Sequence, residues 1–115
     1  MSYKNSIQAI QMTSFNTNAL AVTYKPINSS GLTEACYLIR IINDSNIDVT
    51  ISFDGVTAND YVRTGETLEL AALSVPNSSS SNLGHFRQGT VVSVKGTGAG
   101  AGYIYLSGYY QPFGI

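Results

Sequence analysis

CYLIRIINDSNIDVTISFDGVTANDYVRTGETLELAAL, residues 36–73, alternates apolar and polar side chains between turn signals and gathers no cluster of ionisable groups. Val49, Ile51 and Phe53 fall on one face of an extended segment, with Asp48, Thr50 and Ser52 on the other. This is the period of two that marks a strand half-buried in a sheet. Asp54-Gly55 then supplies the positive φ angles of a tight hairpin turn, so strands are predicted over 49–53 and 56–62. Upstream, over 35–43, Tyr37, Ile39 and Ile41 share one face, and Cys36, Leu38, Arg40 and Ile42 the other. A strand apolar on nearly both faces belongs at the centre of a sheet or at an interface. Arg40 is the one charge within it and is expected to form a structural ion pair, its stem lying on apolar neighbours.

The rest of the chain repeats the pattern in short pieces. Strands are expected over 7–12 and 19–24, separated by the polar residues 14–18, with Pro26 and the Asn28-Ser29-Ser30-Gly31 cluster ending the second. Residues 67–73 read as a strand in preference to a helix, because the segment is too short for a stable helix and Pro76 follows. Residues 76–82, PNSSSSN, form a polar low-complexity loop. Strands at 90–95, with Val92 and Val94 inward, and at 103–110 complete the set. Many short strands at this spacing predict an all-β fold, a single-domain antiparallel sandwich, jelly-roll-like, over residues 1–115. Residues 1–18 are expected to serve as an assembly arm.

Composition narrows the function. Charged residues make up 11% of the chain, six Lys and Arg against seven Asp and Glu, for a net charge of −1. Ordinary domains carry about 25%. A neutral polar surface rich in Ser, Thr and Asn suits packing against neighbours. Lys4, Lys25, Arg40, Arg63, Arg87 and Lys95 form no run that could track phosphates, which argues against nucleic acid as a partner. No stretch of about 18 apolar residues is present, and MSYKNSIQAIQMTSFN lacks the apolar core of a secretion signal, so no membrane role and synthesis in a cytoplasm are expected. Cys36 is the single cysteine. It reads as a small buried hydrophobe.

Motifs that could carry chemistry give way to simpler readings. Residues 96–102, GTGAGAG, resemble a phosphate loop in glycine content only. The following Tyr103-Ile104-Tyr105-Leu106 is a strand where a nucleotide site needs a helix and a Lys-Ser/Thr pair, so a hairpin turn is expected. His85, the single histidine, has no triad context beside Gly84 and Phe86. Asp54 with Asp60, or Glu66 with Glu69, could pair for glycoside hydrolysis only if the fold drew them together. Asp44, Asp48, Asp54 and Asp60 sit at strand ends, where turn capping explains them without a cation. The expectation is a non-enzyme with no cofactor and no metal.

The terminal run 103–114, YIYLSGYYQPFG, carries the remaining signal. Tyr103 and Tyr105 face one side of the strand, and Ile104 and Leu106 the other. Tyrosine supplies rigid contact area with a hydroxyl that still bonds, so Tyr103, Tyr105, Tyr109 and Tyr110 are the expected interface residues. Residues 39–70, with the N-x-S-x-x-D-V-x-I-S-x-D-G hairpin at 43–55 and the acidic turn after it, and the terminal Y-x-S-G-Y-Y strand resemble small all-β virion proteins of tailed bacteriophages. That resemblance spans about half the chain. It implies a structural head-decoration, neck or tail component of the virion, assembled in the host cytoplasm, that forms homo-oligomers and binds other virion proteins. The alternative is a carbohydrate-binding module on a phage tail, with the tyrosines stacked on sugar rings.

Overall fold

The computed structural model describes residues 7–71 and 85–110. Nine strands run in chain order: β1 (Gln8–Ala9), β2 (Thr13–Asn16), β3 (Lys25–Pro26), β4 (Leu38–Ser45), β5 (Val49–Ser52), β6 (Asp60–Val62), β7 (Thr67–Ala71), β8 (Ser93–Lys95) and β9 (Gly102–Tyr110). In the first sheet β1 and β2 both pair with β9, which pairs with β4, which pairs with β7; the second has the order β3-β8-β5-β6. Every pair is antiparallel. From β2 onward the chain passes back and forth between the sheets, and the orders 2-9-4-7 and 3-8-5-6 are those of a jelly roll. The fold is an all-β antiparallel sandwich.

Alternation explains the core. Ile39 and Ile41 of β4 and Ile104 and Leu106 of β9 point inward from the first sheet. They meet Val49 and Ile51 of β5, Val62 of β6 and Val94 of β8, and all are fully or almost fully buried. Each such side chain contributes roughly 1.5–3 kcal/mol through removal from water. Cys36 belongs to this core, where burial, and secondarily the Glu34 charge, pushes its thiol pKa up. Its backbone bridges Phe86 in both directions, and Phe86 stacks on Phe53 at 5.8 Å.

Polar groups bind the layers together. Asn43 is fully buried in β4. Its amide donates to Ile47 O at 2.8 Å and to Val62 O at 3.1 Å in the opposite sheet, while its oxygen accepts from the Ser45 hydroxyl. Asn28 extends the β3–β8 edge with its side chain, donating to Thr90 O at 3.0 Å and accepting from Val92 N at 2.8 Å. The side-chain amide occupies the place a peptide group would take in a ladder.

Several local expectations are corrected. Within 7–12 only Gln8–Ala9 forms a strand, with Ile10 N also donating to Gly108 O, and the supposed separator at 14–18 holds most of β2. There Thr13 and Phe15 turn toward the core and Ser14 and Asn16 toward solvent, so polar residues simply occupy the wet face. Residues 19–24 form no strand. A 3-10 turn (Thr17–Ala19) closes through Leu20 N to Thr17 O, and the strand begins at Lys25. Pro26 lies inside β3, tolerated because β3 is an edge strand. Residues 72–73 and the loop at 76–82 lie outside the described residues.

The Asp54-Gly55 hairpin is wider than a tight turn. Residues 53–59 form a loop, and β6 starts only at Asp60. Side chains set its shape. Asp54 Oδ1 accepts from Val56 N, Thr57 N and the hydroxyl of Ser52, Gly55 N donates to Ser52 Oγ, and Asn59 Oδ1 accepts from Phe53 N. Ser52, expected on the solvent face, is buried beneath this turn. Chiefly the Thr57 and Val56 N–H groups hold the Asp54 carboxyl far below the usual carboxylate range. With the folded pKa depressed, the turn's contribution is complete above the ordinary Asp value near 3.9 and is lost as pH falls through the folded pKa. The melting-temperature gap between the native chain and Asp54→Ala is therefore expected to be constant above about pH 5 and to shrink below about pH 4. Thermal melts from pH 3 to 8 check this; a gap unchanged down to pH 3 counts against it.

The glycine segment is not a hairpin within one sheet. It carries the chain from β8 in the second sheet to β9 in the first. Two of its glycines pack closely against side chains: a Cβ on Gly96 would sit 2.6 Å from Leu20 Cδ2, and one on Gly100 would sit 2.6 Å from Ile47 Cγ2, while Gly98 faces open space.

Candidate assembly interface

The first sheet has spent its inner face on the core, and its outer face gathers the unusual side chains. Register places them in rows across the strands. Ser14, Tyr105, Ile42 and Thr67 form one row; Ser107, Arg40 and Glu69 form the next; Tyr109 stands beside Leu38, and Tyr103 beside Asp44. No described strand packs over this face. Tyr103 is 43% exposed, and Tyr105, Tyr109, Leu38 and Ile42 are half-buried against one another. The Tyr103 and Tyr105 rings stack along β9 with centroids 6.0 Å apart.

Three of the four expected interface tyrosines share this face. Tyr110 does not. The period of two turns it inward with Ile104 and Leu106, where it packs against the core and its hydroxyl bonds Gln8 Oε1 at 3.0 Å. Leu38 and Ile42 join the tyrosines, a neighbourhood set by β4–β9 pairing. Their position on the outer side of β4 was readable from alternation, but their partners were not. Arg40 does face a carboxylate, Glu69 Oε2, at 3.8 Å from Nε. This pair is loose and half-exposed, of the kind worth at most about 1 kcal/mol.

Three of the carboxylates singled out for chemistry serve turns or a cross-strand pair. Asp54 caps its loop, Glu66 Oε1 accepts from Arg63 N at 3.1 Å, and Glu69 faces Arg40. His85 is exposed. An open groove of about 630 Å³ crosses the second sheet near Asp48, Tyr61, Thr64 and Lys95. Its polar groups already hold one another: Asp48 accepts from Thr64 N at 2.9 Å and from the Tyr61 hydroxyl at 3.0 Å, and Lys95 Nζ lies 4.8 Å from the Tyr24 ring centroid. The Thr64 N–H, followed by the Tyr61 hydroxyl, lowers the Asp48 pKa, and the same bond raises that of Tyr61.

No protein-family model matches the chain, and no curated protein matches it. Among solved structures, one described under the words "Bacillus endospore appendages form a novel family of disulfide-linked pili" aligns over 95% of this chain and 91% of its own, at 17% identity and a TM-score of 0.43. Nothing about the role of this chain rests on a likeness of that depth.

Proposed function

We propose that this chain is a non-catalytic structural subunit of a tailed-phage virion, which associates with copies of itself and with neighbouring virion proteins through the outer face of the first sheet. The observation that carries the reading is the patch of Tyr103, Tyr105, Tyr109, Leu38 and Ile42 on a sheet face that no described strand covers. A subunit of a repetitive particle needs modest contacts multiplied by symmetry. Each tyrosine or leucine fully buried there would contribute on the order of 1.5–3 kcal/mol before ordering costs. The low charge of the chain fits such packing, since charged side chains are depleted at interface cores. The resemblance of residues 39–70 and of the terminal strand to small virion proteins supplies the particle, and with it a virion location.

Replacing Tyr103 and Tyr105 together by serine is expected to weaken self-association at least tenfold and to exclude the chain from particles, with the fold retained. Sedimentation and particle incorporation, with circular dichroism as the folding control, check this. Unchanged association and incorporation would remove the face from consideration. Loss of glycan capture with association intact would instead make the tyrosines a sugar platform.

A further inference from the structure

We propose that the outer face of the first sheet binds a second copy of this chain across a two-fold axis that lies along the row Ser14–Tyr105–Ile42–Thr67. The inference rests on the reading of this face as an interface and adds its geometry. Two observations beyond the apolar patch point to a copy of the same surface.

The first is charge order. Arg40 and Asp44 lie two residues to either side of Ile42 on the same face of β4. An axis across the strands at Ile42 lays the two β4 strands antiparallel, so that Arg40 of each copy stands over Asp44 of the other, with Ile42 and Tyr105 meeting their own counterparts. An axis along the strands would set Arg40 over Arg40 and Asp44 over Asp44, which is repulsive. Facing sheets pack roughly 10 Å apart, a gap that an extended arginine and an aspartate approaching from opposite sides can close.

The second is unmet hydrogen bonding. Arg40 Nε and Ser107 Oγ, neighbours in one row, are both covered and have no hydrogen-bond partner among the described residues, Glu69 standing too far off at 3.8 Å. The two-fold axis lays this row over the row of Asp44 and Tyr103 from the other copy. A carboxylate then meets the guanidinium, and a phenol meets the serine hydroxyl. Covered polar groups are ordinarily paired; both atoms are shielded within the free chain, so each reaches a partner from the other copy when its side chain turns outward on docking.

The extent of the face sets the strength. Four strands about 4.8 Å apart and eight residues at about 3.4 Å give on the order of 500 Å² on each copy and about 1,000 Å² in all, at the low end for specific association. A micromolar dimer is expected, suited to a subunit whose neighbours share the work.

Sedimentation equilibrium of the full chain from low micromolar to millimolar concentration, with far-UV circular dichroism to confirm folding, tests the geometry. Arg40→Asp and Asp44→Arg are each expected to weaken dimerisation at least tenfold, and the double exchange to restore it to within about threefold of the native chain. A double variant no stronger than either single one overturns the two-fold register. If Tyr103→Ser with Tyr105→Ser abolishes dimerisation in that case, the face survives and only its geometry fails. If the tyrosine variant dimerises normally, the face fails as well. A native chain that is monomeric at millimolar concentration overturns the dimer outright, and particle incorporation of the tyrosine variant then decides the broader reading.

Discussion

Asn43→Ala is expected to lower stability by about 4 kcal/mol, among the largest effects of any single substitution in the chain. The side chain is fully buried and uses both amide hydrogens and its oxygen. Alanine would take the amide donor from Val62 O, leave Ile47 O with the Ser45 hydroxyl alone and remove the acceptor of the short Ser45–Asn43 bond, and a buried partner left unpaired costs about 1–3 kcal/mol. The backbone of Asn43 is also engaged, donating to Glu66 O and accepting from Gly65 N, so the β4 end and the turn into β7 meet at one residue. Denaturant unfolding should show a lower midpoint with an unchanged slope. A loss below about 1 kcal/mol would mean that water replaces these partners freely and that the sheets are held by apolar packing alone.

Gly102→Ala is expected to cost a similar amount, about 4 kcal/mol, by a different route. Gly102 opens β9 opposite Ser45 with φ at +113°, a conformation that side chains rarely adopt. A Cβ there would run into Asp44 O and stand 2.7 Å from Ser45 Cα. Both obstacles are backbone of the central strand and cannot swing aside. Gly55→Ala provides the contrast. Gly55 has φ at +78° but open space around its missing Cβ, so only the conformational penalty of about 1 kcal/mol applies. Equal melting temperatures for the two variants would show that the β9 entrance relaxes around the new methyl.

The architecture was legible where alternation was strong. β4, β5 and β9 were readable because Ile39 with Ile41, Val49 with Ile51, and Ile104 with Leu106 repeat at the period of a strand with one face in the core. β2 was hidden, because TSFN shows a single large apolar residue and becomes a strand only by pairing with β9, which is remote in the chain. The loop at 53–59 was misjudged because Ser52, Asp54 and Asn59 cap backbone groups that a two-residue turn would have paired in the ladder. Glycines at 96–102 read as a turn, since no local pattern reveals that the chain there changes sheets. The same gap limited the site. The tyrosines of β9 were visible, but their company with Leu38, Ile42 and Arg40 depends on a register that only the folded chain supplies.

The position of β9 also governs when this molecule can exist at all. Among the described strands it comes last in chain order, yet it lies inside its sheet, with β1 and β2 paired along one side and β4 along the other. Until it arrives, the N-terminal strands have no partner and half of the core has no lid. Folding of the first sheet must therefore wait for β9, as expected of a topology dominated by distant pairings. A product terminated before β9 lacks both a central strand and the tyrosine face. Such fragments cannot close the sandwich, so the folded state is reserved for chains that carry β9.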